Sequence, residues 1–412
     1  MEHFIREIKI NKLRHLSGIS VLLNSDQRQH LMITGKNGSG KTSLLIALQK
    51  YLQSINDEKF SSLNQYEEWY AQDKLKAENA TTENARYEAE KKCKFYAEWI
   101  KKYKDGIEVL LNSSDGLEAL YAKGDFITAY FPANRKTEIV RARGVEDIKL
   151  KDSYGITEDP GRLLHKYMVH LKTQQAYARN AGDIDEADRI QEWFDRFENA
   201  LRVLMDNETI SLIYDYKEYD FKIHEEGKEP FGFDVLSDGY SSVIHIMSDL
   251  ILRMDKNWLL GEGISKYDTE GIVLIDELET HLHIELQKKI LPFLTEFFPR
   301  IQFIVTTHSP YILNSISNAK AYDLERCVEL ENLSVYSSDG LAEGYFGADE
   351  YSDELKNKIE RYRQLKAKQE ITEDERAERA KLRIELKNIP KGLSQEAREK
   401  FDEIEGNADD KN

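Results

Sequence analysis

Gly35-Lys36-Asn37-Gly38-Ser39-Gly40-Lys41-Thr42 satisfies G-x-x-x-x-G-K-[ST], the pattern of a loop that cradles nucleotide phosphates. Leu31-Met32-Ile33 leads into it as a short buried strand would, and Leu44, Leu45 and Leu48 follow at helical spacing. The strand–loop–helix setting that the motif requires is therefore present. Glycines let successive backbone N–H groups converge on phosphate oxygens at a helix N-terminus. Lys41 adds a point charge toward the terminal phosphates, and the Thr42 hydroxyl is a ligand for Mg²⁺.

Composition bounds what surrounds this loop. The chain has 412 residues, 40% hydrophobic and 32% charged, enough for a large core with insertions. Its net charge is −17, which excludes a polycation, so any DNA contact has to come from a local basic face or a partner. Cys93 and Cys327 are the only cysteines; they form no CxxC pair and argue for a reducing compartment. Met1-Glu2-His3-Phe4 does not start a secretory signal, and no apolar run reaches the roughly 20 residues of a membrane span. The expectation is a cytoplasmic protein with no membrane segment.

Along the chain, Phe4, Ile8, Ile10, Ile19, Val21 and Leu23 predict two antiparallel strands ahead of the loop, joined by the basic turn Lys12–Leu16. From Ser43 to Tyr103 neither Gly nor Pro occurs, and residues 51–124 read as a helical insertion. Phe126–Phe131 is a buried strand, and a second helical block fills 161–205, broken near Asn180–Asp183. Short strands are expected at Ile210–Tyr216, Tyr219–Ile223 and Phe231–Val235, and closing strands at Tyr322–Leu324, Cys327–Leu330 and Leu333–Tyr336. Residues 351–412 form a charged helical tail with a break at Pro390-Lys391-Gly392. The core domain is thus 1–50 together with 125–350.

Three further stretches carry chemistry. Gly271–Glu277 is a buried strand ending in two acids: Asp276 suits Mg²⁺, and Glu277 suits polarising an attacking water. Ile301–Pro310 is another buried strand, ending in His308, which falls at the sheet edge where ligands bind in open α/β folds. Ser237-Asp238-Gly239 opens a helix, either as an N-cap or as a phosphate-binding N-terminus. The residues alone do not choose between these two.

Taken in order, the phosphate loop, Leu-Ser-x-Gly at 236–239, Asp-Glu at 276–277 and the strand-end His308 resemble an ABC-type ATPase. Leu-Ile-Asp-Glu-Leu-Glu-Thr-His-Leu-His (274–283) and Thr-Thr-His-Ser-Pro (306–310) are similar to the RecF/SMC/OLD branch. The resemblance implies an α/β P-loop NTPase head with N-terminal antiparallel strands, a mostly parallel core sheet and an inserted helical subdomain. It implies ATP and Mg²⁺ bound by Gly35 to Thr42 and Ser43, with Thr42 and Asp276 toward the metal. Glu277 would be the general base, His308 the switch histidine and Leu278–His283 the D-loop. Ser237 and Gly239 would complete the γ-phosphate site of a second copy, giving a homodimer or higher oligomer. The signature reads Leu-Ser-Asp-Gly-Tyr instead of Leu-Ser-Gly-Gly-Gln, and no clear Q-loop glutamine is found; Asn134 or Arg135 stands where it would be.

Such a head, without hinge or long coiled coil, is similar to stand-alone ATPases of bacterial anti-phage systems, of the Septu PtuA type or retron-associated. That implies a slow ATPase that dimerises on ATP, senses DNA or a phage component, and controls a separate effector, a nuclease or other toxin. No Toprim or HNH cluster is visible in this chain. The alternatives are an ATP-bound scaffold with little turnover that holds an effector inactive, and a RecF-like DNA-repair clamp.

Overall fold

The computed structural model describes residues 2–135, 140–260, 268–331, 333–345, 353–368, 370–388 and 395–406. Its first compact unit is Met1–Val335 and its second Tyr336–Asn412. In the first, β1 (Ile5–Leu13) and β2 (Leu16–Leu22) precede β3 (His30–Thr34), which runs through the phosphate loop into α1 (Lys41–Asn56). The hairpin α2 (Phe60–Glu78) and α3 (Glu83–Tyr103) is followed by β4 (Ile107–Leu111), α4 (Leu117–Lys123) and β5 (Phe126–Phe131). Then come α5 (Leu164–Ala181), α6 (Ile184–Met205), β6 (Ser211–Asp215), β7 (Asp220–His224), β8 (Phe231–Gly232) and α7 (Asp238–Leu260). The unit ends with β9 (Glu270–Ile275), α8 (Ile284–Phe297), β10 (Ile301–Thr306), α9 (Pro310–Leu313), β11 (Ala319–Asp323) and β12 (Val328–Leu330).

The central sheet has the order β12-β11-β3-β10-β9-β5. All its pairings are parallel except β11 with β12. Every residue of β3, β9 and β10 is buried, which is why these strands read as mostly apolar runs without alternation: a parallel sheet is covered on both faces. The expected α/β class with a mostly parallel core sheet is the one observed. The order also places the exits of β3, β10 and β9 side by side, so the loop, His308 and Asp276-Glu277 leave the same edge of three adjacent strands.

A second sheet, β2-β1-β4, lies beside this one and is antiparallel. A bulge in the β1–β4 pairing between Ile5 and Glu7 explains why the buried residues Ile5 and Ile8 are three apart and not two. Gln302 joins the sheets: its Oε1 accepts from Ile5 N (2.7 Å), and its Nε2 donates to Ile5 O (2.9 Å) and Gln29 O (2.8 Å). β4 and α4 fall in the stretch expected to be a helical insertion. Gly106, at φ +85 and with an added Cβ only 1.9 Å from Lys12 O, turns the chain from α3 into this strand.

Two other expectations need correction. Only Phe231–Gly232 of the expected strand 231–235 pairs, and Phe233–Val235 is a 3-10 turn. Leu333–Val335 is likewise a 3-10 turn with no buried residue, and Val335 is 75% exposed; without a face to bury, the short stretch gains nothing from pairing as a strand. The second unit holds α10 (Ser338–Gly344), α11 (Asp353–Ala367), α12 (Glu373–Lys387) and α13 (Gln395–Gly406). Its charged helices enclose a small core that includes Ile359, Tyr362, Leu386 and Phe401, and a capping box between Thr372 and Glu375 starts α12. The expected break at Pro390-Lys391-Gly392 lies outside the described residues.

Candidate nucleotide site

The phosphate loop turns on three glycines at positive φ, Gly35, Gly38 and Gly40. An added Cβ at Gly35 would lie 2.9 Å from Ser39 Oγ, and at Gly40 2.9 Å from Leu16 Cδ1, whereas at Gly38 it would meet nothing within 4 Å. The loop is therefore packed at its two ends and open at its crown, the shape of a cradle for an anion. Lys41 is 6% exposed and its Nζ donates to Gly35 O (2.6 Å) and Lys36 O (3.2 Å). Burial lowers the Lys41 pKa, opposed by Glu277, Glu279 and Asp276. Lys36, Asn37, Gly38 and Thr42 are exposed, and Ser39 is buried. Lys36 Nζ pairs with Glu325 at 3.0 Å.

A cleft of about 450 Å³ runs from the loop residues Lys36 to Ser39 to His15, Leu16 and Ile19 at the β1–β2 turn and to Glu325 and Cys327. Ser43, in the first turn of α1, borders a different cleft, with Lys12, Lys50 and Lys101. Of the expected cofactor set, Lys36, Asn37, Gly38 and Ser39 line the loop's own cleft, and Ser43 does not.

At the ends of β9 and β10 a hydrogen-bonded cluster forms around Thr306. Its Oγ1 donates to Asp276 Oδ1 (2.6 Å) and accepts from Glu277 N (2.7 Å). Asp276 is 2% exposed. Glu277 has φ +45, a left-handed conformation that costs a non-glycine residue about 1–2 kcal/mol. His308 N donates to Glu279 Oε1 at 2.6 Å. Two buried atoms of this cluster, His308 Nε2 and Glu279 Oε2, have no hydrogen-bond partner, and neither do Thr34 Oγ1 and Ser39 Oγ. Burial and the Lys41 charge push the His308 pKa down, against Glu279 and Glu277, so its imidazole is neutral near pH 7.

The buried, unpartnered polar atoms and the open crown at Gly38 fit a phosphate-bearing ligand. Thr42 and Asp276 are a hydroxyl and a carboxylate of the kind that would hold a nucleotide-bound Mg²⁺. Among the described residues no group of three or more His, Cys, Asp or Glu could hold a metal by itself.

Ser237 is exposed and Gly239 buried at the start of α7, and neither lines the phosphate-loop cleft. Gly239 also has a packing reason to be glycine: a Cβ there would stand 2.7 Å from His281 O, so α7 rests directly on the backbone after Glu277. Sequence reasoning missed Thr306 and Glu279. A hydroxyl residue at the very end of an otherwise apolar strand, and an acid two residues past an acid pair, were the available signals.

A phosphate loop on β3, an acid pair on β9 and a histidine on β10, gathered at one edge of a parallel sheet, define an ABC-like P-loop ATPase fold. The chain belongs to the family described as "AAA domain, putative AbiEii toxin, Type IV TA system", whose model matches residues 31–314. It is similar to the Septu protein PtuA of Bacillus mycoides (strain KBAB4), 41% identical over 97 residues, which are 24% of this chain and 12% of that protein. It is also similar to the Retron Ec83 probable ATPase of Escherichia coli, 38% identical over 90 residues, 22% of this chain and 16% of that protein. These matches thus span a fifth or less of either relative. Among solved structures, an SMC head bound to the C-terminal winged-helix domain of ScpA aligns with 80% of this chain and 96% of its own, at 11% identity and a TM-score of 0.40. No helix among the described residues is long and apolar enough to cross a membrane.

Proposed function

We propose that this protein binds and hydrolyses ATP, closes a dimer around it, and through that cycle controls a separate effector in defence against phage. The observation that carries the ATPase reading is the meeting of Lys41, Asp276, Glu277, Glu279 and His308 at one sheet edge, with buried polar atoms of His308 and Glu279 left without partners. In this reading Lys41 and the loop N–H groups hold the β- and γ-phosphates. Thr42 and Asp276 would hold Mg²⁺, which would supply charge neutralisation on the phosphates. The Glu277 carboxylate takes a proton from the water that attacks the γ-phosphorus, the bond to the β-phosphate oxygen breaks, and ADP and phosphate leave. Neutral His308 accepts or donates a hydrogen bond to orient that water.

Dimerisation is supported by the position of Ser237, exposed at a helix start and away from the chain's own loop, where it suits a second copy's γ-phosphate. The defence role is supported by the Septu and retron relatives. DNA remains a candidate trigger, met through a local basic face given the net charge of −17. The test is steady-state turnover of wild type against Glu277→Gln, with sedimentation of the variant with and without ATP. Wild-type turnover with a stalled, ATP-dependent dimer in the variant is the expected result. Equal, negligible rates would remove hydrolysis and leave a nucleotide-bound scaffold.

A further inference from the structure

We infer that Arg135 is a positioning residue for hydrolysis, tying the first turns of α7 to the backbone that carries Glu277; this rests on the ATPase reading above. Arg135 follows β5, whose Phe131 pairs with Ile275 of β9, so the chain beyond the strand returns over the acid pair. Its Nη1 donates to Asp276 O (2.7 Å) and Pro132 O (3.3 Å), its Nη2 to Glu277 O (3.1 Å) and its Nε to Ser242 Oγ (3.1 Å). One planar guanidinium thus holds two consecutive carbonyls of the acid pair and a hydroxyl of α7. An ammonium, a point donor on a flexible stem, has no such fork.

The two carbonyls belong to a place that needs holding. Glu277 sits at φ +45, its N–H is fixed by Thr306, and Arg135 fixes the other side of the same residue. Together they set the direction in which the Glu277 carboxylate leaves the backbone. The third arm reaches Ser242, which is 4% exposed and lies one turn past Ser237 on α7. Gly239, between them, abuts His281 O. Movement of the helix start therefore reaches Glu277 by two routes, one through a hydrogen-bonded cation and one through direct packing. A second copy's phosphate engaging Ser237 would act on the general base through these contacts.

The test uses Arg135→Lys, Ser242→Ala and the double variant of the full chain. Turnover, binding of a fluorescent ATP analogue and melting temperature are measured on each. The expected result is a fall in kcat of about a hundredfold for Arg135→Lys, the scale of an ångström-sized misplacement, with analogue affinity within about threefold of wild type. Ser242→Ala lowers kcat by a smaller factor, and the double variant is no slower than Arg135→Lys, because both changes break one link. Arg135→Lys with kcat within about threefold of wild type, affinity falling in step with kcat, or penalties that multiply would each overturn the inference. Should Arg135→Lys fail to fold, Ser242→Ala decides, since it removes one arm only, and unchanged turnover there overturns the proposal. Wild type no faster than Glu277→Gln removes the ATPase reading and this inference with it; a normal wild type with an unaffected Arg135→Lys removes the inference alone.

Discussion

Replacing Thr306 by Val keeps the shape of a fully buried side chain and deletes its hydroxyl. That hydroxyl donates to Asp276 Oδ1 at 2.6 Å and accepts from Glu277 N at 2.7 Å. Loss of a hydrogen bond to a carboxylate is worth about 1.5–3 kcal/mol, and an unsatisfied buried N–H about 1–3 kcal/mol. The added methyl returns about 0.8 kcal/mol, so the net destabilisation is about 3 kcal/mol. Unfolding entropy of about 2.1 cal/mol/K per residue over the unit Met1–Val335 converts this to a melting-temperature drop of about 4 °C. Turnover should fall further than stability suggests, by about a hundredfold, because Asp276 and the left-handed Glu277 lose the atom that fixes both. Thr306→Ser, which keeps the hydroxyl, is the control and should retain most of the activity. Calorimetry with a phosphate-release assay reads both quantities. A Thr306→Val variant that melts with wild type and turns over normally would refute the claim that this hydroxyl organises the acid pair.

Lys41→Ala should leave the circular dichroism spectrum unchanged and weaken ATP binding by at least about a hundredfold, since it removes a buried charge opposite the phosphates; retained affinity counts against the phosphate-loop assignment. Asp255 offers a pH test. It is fully buried, Trp193 Nε1 donates to it at 2.9 Å, and burial pushes its carboxyl up to about 7. The native state then binds this proton more tightly than the unfolded chain, whose carboxyl titrates near 3.9. Its contribution to stability is full below about pH 4, falls as pH rises through the interval up to about 7, and is constant above it. Asp255→Asn keeps an acceptor for Trp193 and has no proton to lose, so urea unfolding of the variant should show a flatter profile between about pH 4 and 7. Parallel wild-type and variant profiles would contradict the assignment.

The sequence made most of the nucleotide edge readable because its signals are local. Gly35–Thr42 is contiguous, Asp276-Glu277 and His308 each end an apolar run, and β3, β9 and β10 are strands that composition alone marks as buried. What escaped was non-local. β4 is a strand because Gly106 packs on Lys12 and β1 offers an edge, neither visible within Ile107–Leu111. Leu333–Val335 had strand-like letters and no face that the fold buries. Thr306 and Glu279 matter because of what lies across from them, and Arg135, noted only for its place in the order of motifs, does so too: Arg135 and Glu277 are 142 positions apart, and their contact comes from the parallel pairing of β5 with β9.

The same strand order governs how the protein is made. β3 is complete early in synthesis, yet its neighbours are β10 and β11, and the contact between His30 and Phe303 spans 273 positions. Closing a loop of that length costs about 2 kcal/mol more than closing one of 20 residues. Meanwhile the intervening helical hairpins, α2 with α3 and α5 with α6, pair helices that are neighbours in sequence, so their first contacts are local. Both partners of β3 in the central sheet, β10 and β11, thus come from the last part of the first unit. No shorter fragment assembles the sheet edge that holds the acids beside the phosphate loop. A copy that ends before β10 would then lack the strand that seats His308 and Thr306 beside the phosphate loop, and with it the arrangement on which the proposed nucleotide chemistry depends.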